Sequence, residues 1–301
     1  MNLQEAVLQA RHKQTVIPAF NIPYLTMVEP VTRAVADADS VAIIQVARVE
    51  WEKFSAESLE SVAEEYDRHC KSGHTFLGLD HVPVIDEDLR QVDYLPIIQR
   101  AIGAGFESVM IDGSRLSLAE NIYVTAKVAD LVHQHGLACE AELGAVMGHE
   151  SGHPIPYEKI FASRMGFTKT DEAQRFAFES HCDWLSVAVG NIHGAIAKNA
   201  RSVKKTEARL DVAHIAALYE AVNLPLVLHG GSGIQIDYIR KGIKAGIAKI
   251  NIGTEIRQTY EKTLKEYNNI DLAMEAVYTK VQELLAAIEA AGSRPVLENN
   301  G

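Results

Sequence analysis

Eight short apolar runs rich in β-branched residues recur along this chain with helical segments between them, and that alternation leaves few architectures open. The runs are Val16–Phe20, Val41–Ala47, Thr75–Asp80, Ser108–Ile111, Leu137–Leu143, Trp184–Val189, Leu226–His229 and Ala248–Ile252. Between them, Met27–Ala38, Ser55–His69, Leu116–His135, Asp171–Ser180, Val212–Ala221 and Ile234–Ala245 carry apolar residues at three- and four-residue spacing, as helices covering a core do. Strands alternating with helices pair in parallel, because each helix carries the chain back before the next strand begins. Over 301 residues, eight such units predict a closed (β/α)8 TIM barrel in a single domain. An open doubly wound sheet satisfies the same pattern. No Pro/Gly/Ser-rich linker divides the chain. The longest stretch without a period, Gly144–Thr168, falls where a strand-to-helix loop belongs and is a candidate mobile lid. A last amphipathic segment, Leu272–Ala291, is expected to cap the barrel floor or to pack against another subunit.

Composition narrows the function rather than the fold. Forty acidic residues against 29 basic ones give a net charge of −11, a field that repels phosphate backbones and anionic lipid, so neither nucleic acid nor a membrane is an expected partner. No apolar run reaches the length of about 18 residues that a spanning helix requires, and the first residues are amphipathic rather than signal-like, so a cytoplasmic location is expected. Cys70, Cys139 and Cys182 are scattered and form no C-x-x-C pair, which argues against a disulfide framework or a cysteine zinc site. The twelve histidines are the place to look for metal ligands.

Polar residues gather at the C-terminal ends of the predicted strands. Asp80 and His81 close the third, Asp112 the fourth and Glu142 the fifth; Asn191 and His193 follow the sixth, His229 ends the seventh, and Asn251 lies in the eighth. In a (β/α)8 barrel these ends form one face, the face that carries the active site. His81, His193 and His229 would then converge from three strands. Three neutral imidazoles make a zinc shell of the catalytic type, leaving the ion its charge and one position for a substrate oxygen. Asp80 reaches the same metal only if the strand has ended, since neighbours in a strand point to opposite faces. His69, His133, His135 and His181 sit at predicted helix ends and read as C-terminal caps. The loop His229-Gly230-Gly231-Ser232-Gly233 and the turn Asn251-Ile252-Gly253-Thr254 let backbone N–H groups approach an anion beside a helix N-terminus, which predicts a phosphorylated substrate. No G-x-G-x-x-G fingerprint supports NAD.

These residues resemble the class II, metal-dependent fructose-bisphosphate and tagatose-bisphosphate aldolases. The matches are AFN at Ala19–Asn21, LDH at Leu79–His81, SVMIDGS at Ser108–Ser114, EAELG at Glu140–Gly144, AVGNIHG at Ala188–Gly194, PLVLHGGSG at Pro225–Gly233 and KINIGTE at Lys249–Glu255. The resemblance implies reversible retro-aldol cleavage of a ketose (bis)phosphate to dihydroxyacetone phosphate and an aldehyde. It implies one Zn2+ per subunit on His81, His193 and His229, with Asp80 exchanging a proton with the C4 oxygen and Glu150 in the lid as a second acid/base. Asp112 and Glu142 would lie near secondary metal positions. Asn21, Gly194, Gly230, Gly231, Ser232, Asn251 and Thr254 would bind substrate and its phosphate, with Na+ or K+ nearby. A homodimer or homotetramer is expected.

Lys249 suggests the alternative Schiff-base route, but the three histidines and Asn251 favour the metal. Departures from the family pattern cluster where the aldehyde half should sit. Gly78 replaces a customary histidine, Ala47–Lys53 does not resemble the usual small-residue loop, the stretch after His193 lacks a tyrosine, and His149 precedes Glu150. Arg48, Lys53, Arg115, Arg164 and Arg257 are candidates to meet a second anionic group. An aldolase for a different ketose 1-phosphate, a barrel metallohydrolase and a non-catalytic sugar-phosphate binder remain as other readings.

Overall fold

A computed structural model describes residues 1–144, 157–191, 208–231 and 233–299. The strands are β1 (Ile17–Asn21), β2 (Ala42–Ala47), β3 (Thr75–Pro83), β4 (Ser108–Asp112), β5 (Ala138–Leu143), β6 (Trp184–Val187), β7 (Leu226–Leu228) and β8 (Ile247–Ile252). Each pairs in parallel with its sequence neighbours and β8 closes on β1, the (β/α)8 barrel that the alternation predicts. The helices are α1 (Leu3–His12), α2 (Val28–Asp37), α3 (Arg48–Lys53), α4 (Leu59–His69), α5 (Tyr94–Gly103), α6 (Leu118–His133), α7 (Tyr157–Ser163), α8 (Thr170–Ser180), α9 (Val212–Ala221), α10 (Ile236–Ala245), α11 (Thr254–Tyr267), α12 (Ile270–Ala287) and α13 (Ser293–Glu298). α3, α5 and α11 had no counterpart in the apolar periodicity. α3 has only six residues, and α5 and α11 each bury only two side chains, too few for a 3.6-residue stripe.

Alternation along the strands sets what fills the barrel. Residues two apart share a face, so one face of β1 presents Ile17, Ala19 and Asn21; β3 presents Phe76, Gly78 and Asp80; β5 presents Ala138, Glu140 and Glu142. The lower members, Ile17, Ala19, Ile43, Phe76, Ala138 and Trp184, pack with Leu3, Ala6, Val7 and Ala10 of α1 into an apolar plug. The upper members are polar and equally buried. α1 is held at its start by a capping box in which Asn2 accepts from the Glu5 N–H and Glu5 accepts from the Asn2 N–H. The floor therefore belongs to α1, with Leu297 of α13 beside it, and the expected C-terminal segment takes another place. α12 lies along α11 and α2 and buries Ala273, Val277, Val281 and Leu285.

Of the candidate lid, residues 145–156 lie outside the described residues. The remainder is built into the fold: Tyr157–Ser163 is helical, and the Thr168 hydroxyl donates to the Leu143 carbonyl at 2.5 Å while accepting from the Ala188 N–H at 2.8 Å.

Gly78, the departure noted in the sequence, has a steric cause. A Cβ there would lie 2.8 Å from Ile43 Cγ2 and 3.0 Å from Ser108 Oγ, inside the packed barrel. Gly78→Ala is expected to cost about 1–3 kcal/mol, because a filled core yields only by strain. A denaturant midpoint equal to wild type would show that the barrel relaxes freely around the methyl group.

Candidate active site

At the top of β3 the pairing with β4 slips: Leu79 opposes Val109, yet Val82 opposes Ile111, so β3 carries one residue more than its partner. His81 takes φ +28° within this bulge, a conformation that a non-glycine residue adopts only when its surroundings hold it there. The extra residue breaks the alternation. Asp80 and His81, adjacent in sequence, therefore both reach the barrel mouth.

His81 Nε2 lies 2.8 Å from His229 Nδ1. The outer nitrogen of each ring meets a carboxylate: His81 Nδ1 lies 3.3 Å from Asp112, and His229 Nε2 lies 2.7 Å from Glu140. A carboxylate on the outer nitrogen holds a ring hydrogen there, so the two inner nitrogens either share one proton between them or, once both are deprotonated, face a metal ion. Donor atoms of Asp80, His81 and His229 all lie within 4.8 Å of one another, as do those of His81, Asp112 and Glu142. Without an ion, the nearby groups compete for protons. Burial opposes charge on His81, but the carboxylates of Asp80, Asp112 and Glu142 outweigh it and raise its pKa to about 10. Burial lowers His229, with the charge of His81 adding to it against the pull of Glu140. Glu142 is pushed up to about 8 by burial and by Asp112. A site that draws protons in this way fits a divalent cation, whose charge satisfies the same carboxylates.

Asp80 is buried and held by two amides: Asn21 Nδ2 donates to Oδ2 at 2.8 Å and Asn251 Nδ2 to Oδ1 at 3.0 Å. Gln45 in turn donates to Asn21 Oδ1 at 3.0 Å, and Lys249 donates to Asn251 Oδ1 at 2.8 Å. Burial alone would raise the Asp80 pKa, but the positive charges of His81, His229 and Lys249, with the Asn21 bond, bring it down to about 2. Asn21 and Asn251 thus orient this carboxylate.

Glu140 was not among the candidate site residues, although it stands two positions before Glu142 and so shares its inward face. It is fully buried, bonded to His229 through one oxygen and to Lys249 Nζ at 2.7 Å through the other. Lys249 is committed to Glu140 and Asn251, to which its Nζ donates two hydrogen bonds. Asn191 fixes the backbone at the other ring: its amide donates to the His229 carbonyl at 2.8 Å and its oxygen accepts from Val189 N–H at 2.8 Å. Asn191→Ala strands both buried groups, and a loss of about 1–3 kcal/mol in unfolding free energy is expected. An unchanged denaturation curve would mean that water replaces both bonds.

At the β7 and β8 ends, Gly230 takes φ +65° and a Cβ on Gly231 would lie 3.2 Å from Ile250 Cδ1, so the chain passes close over the barrel. Thr254 is the first residue of α11, a 14-residue helix whose N-terminus faces the same mouth. Glu150, His193, Gly194 and Ser232 lie outside the described residues. Four of the five candidate cations are paired with carboxylates: Arg48 with Glu52 and Asp86, Lys53 with Glu87, Arg164 with Asp211, and Arg257 with Glu261. Arg115 is exposed.

Sequence reasoning also missed Glu50. The chain turns into α3 directly after β2, and Glu50 folds back over that turn so that its Oε2 accepts from the Ala47 N–H at 2.7 Å and stands 3.5 Å from Asn21 Nδ2. One amide thus bridges Glu50 and Asp80. Burial raises the Glu50 pKa to about 8 against the Ala47 bond, and the charge of Asp80 adds to the rise.

A family model described as fructose-bisphosphate aldolase class-II matches residues 1–294. The crystal structure of the YdjI aldolase from Escherichia coli K12 is 27% identical and superposes with a TM-score of 0.77, covering 97% of this chain and 98% of that one. Fructose-bisphosphate aldolase (Fba) from Campylobacter jejuni shares the fold at 18% identity, with a TM-score of 0.73 over 94% of this chain and 93% of that one.

Proposed function

Because the chain belongs to the class II fructose-bisphosphate aldolase family, we propose that it cleaves a ketose phosphate reversibly into dihydroxyacetone phosphate and an aldehyde, with a bound zinc ion. The observation that carries this reading is Asp80 locked between two amides beside the His81–His229 pair, whose outer nitrogens rest on Asp112 and Glu140. His81 and His229, joined by His193 beyond the described residues, would hold one Zn2+ per subunit. When bound, such an ion supplies Lewis-acid polarisation of the ketone.

The chain's own groups carry the protons. Asp80 takes the proton of the C4 hydroxyl as the C3–C4 bond breaks; the C4 oxygen becomes the aldehyde, and the bond's electron pair stays with C3. Glu150 is the group proposed to protonate C3. Gly194, Gly230, Gly231, Ser232 and Thr254 are assigned the substrate phosphate, held by backbone N–H groups and the start of α11, with Na+ or K+ nearby. Asp112 and Glu142 are assigned a secondary metal position. The expected assembly is a homodimer or homotetramer in the cytoplasm; among the described residues no helix is long and apolar enough to cross a membrane.

The test is a screen of ketose 1-phosphates and bisphosphates coupled to detection of dihydroxyacetone phosphate. Cleavage should vanish with a chelator, return with zinc, and leave no adduct trapped by borohydride. Full turnover by metal-stripped protein, or a borohydride-trapped lysine, would overturn the reading.

A further inference from the structure

The donor half of the substrate, by the reading above, is anchored over the β7 and β8 ends, and its C4 hydroxyl meets Asp80 on β3. Carbons beyond C4 therefore leave Asp80 on the side away from the phosphate loops. Among the described residues, the turn from β2 into α3 stands beside Asp80 there, since Ala47 pairs with Asp80 and Asn21 bonds both Glu50 and Asp80. Glu50 is the buried carboxyl group of that turn, and Asn21 ties it to Asp80. Its Oε2 is occupied, whereas its Oε1 accepts no hydrogen bond from a described residue.

Among the described residues, the cations that flank this turn are each committed to a partner. Arg48 lies 2.8 Å from Glu52 and 3.5 Å from Asp86, Lys53 is paired with Glu87, and Arg257 lies 2.9 Å from Glu261 while spanning the Phe54 ring at 5.2 Å. A phosphate arriving here would meet a carboxyl group that repels it when charged and offers it no cation when protonated. A sugar hydroxyl is served in both cases, because a carboxylate accepts from it and a carboxylic acid can also donate.

We propose that this aldolase site takes an uncharged, hydroxylated aldehyde, with Glu50 as the selecting residue, and that its substrates are ketose 1-phosphates without a second phosphate. The inference rests on the aldolase reading and adds the aldehyde class to it. The reaction is unchanged in its balance: the C3–C4 bond breaks, the C4 hydroxyl proton goes to Asp80, and the neutral aldehyde leaves.

The experiment runs the zinc-loaded full-length protein in the condensation direction, with dihydroxyacetone phosphate and either glyceraldehyde or glyceraldehyde 3-phosphate. Assayed above about pH 8, where the Glu50 carboxyl is ionised, the kcat/KM ratio should favour glyceraldehyde by at least about tenfold, since juxtaposed like charges are strongly disfavoured in a buried site. Glu50→Gln should lower that ratio by about tenfold, chiefly through KM for the aldehydes, and Glu50→Asp should restore part of it. A wild-type preference for the phosphorylated aldehyde, or a ratio unmoved in Glu50→Gln, overturns the proposal. The wild-type ratio decides alone should the glutamine variant not fold. Deuterium exchange from solvent into dihydroxyacetone phosphate separates the two levels: with exchange present, a wrong aldehyde ratio sinks only this inference, whereas no exchange sinks the aldolase reading and this inference with it.

Discussion

Asp80→Ala is expected to keep its zinc and to lose at least about 10²-fold in the rate of carbon–carbon cleavage, the usual worth of a positioned acid or base. The size of the effect follows from how the carboxylate is held. Asn21 and Asn251 each donate to a different oxygen of Asp80, so its plane is fixed before substrate arrives. With a pKa near 2 it stays ionised throughout the neutral range, so an acid limb in that range must arise from another group. Asp80→Asn should be nearly as slow, because its NH2 group would face one of two amide donors and the site would lose both the base and its alignment. Metal content measured beside the rate separates two roles, since Asp80 also belongs to the donor triad with His81 and His229. Zinc retained with the rate lost supports the acid/base role; zinc lost with the rate would make Asp80 a ligand, and a rate within a few-fold of wild type would remove it from the chemistry.

The barrel was legible in the sequence because parallel strands buried on both faces leave continuous apolar runs, and all eight runs overlap the observed strands. His81 and His229 were legible for the same reason, since the fold sends every strand end to one face. What alternation could not supply was the bulge at Leu79–Val82, without which Asp80 and His81 point apart. Glu140 carried a usable signal, its two-residue spacing from Glu142, but residue type alone assigns neither glutamate to a metal or to a lysine. Lys249 suggested a Schiff base by residue type alone, a reading the histidines already opposed, and its bonds to Glu140 and Asn251 were not readable from spacing. Glu50 gave no signal at all. A glutamate in a six-residue helix looks like surface, and only the turn of the chain after Ala47 buries it.

The glutamates also clarify the net charge of −11. Asp80, Asp112, Glu140 and Glu142 converge on two histidines and one buried lysine, an excess of negative charge that the described residues do not balance. Burying such an excess is costly unless a cation joins it, so the acidic composition bears on the metal more than on the sugar phosphate.

Lys249→Met tests this charge balance. Lys249 and Glu140 form a buried ion pair at 2.7 Å, and removing one partner leaves the other charged and unsolvated, a loss of about 3–5 kcal/mol in buried pairs. Glu140 has one remedy within reach, since its other oxygen lies 2.7 Å from His229 Nε2. Deprived of the ammonium, Glu140 stabilises a proton on His229 and raises the pKa that burial otherwise lowers. A protonated His229 has both nitrogens occupied and offers no lone pair to a metal. Zinc affinity near neutral pH should then fall by about 10–100-fold, as it does when partners behind metal ligands are removed. The deficit should shrink as pH rises, because deprotonation of His229 returns the ligand. Competition with a chromophoric chelator at several pH values reads the affinity, and urea denaturation reads the stability. If the affinity deficit is independent of pH, Lys249 acts through packing alone; if neither quantity changes, Glu140 finds its counter-charge elsewhere and the proposed link from Lys249 to the metal fails.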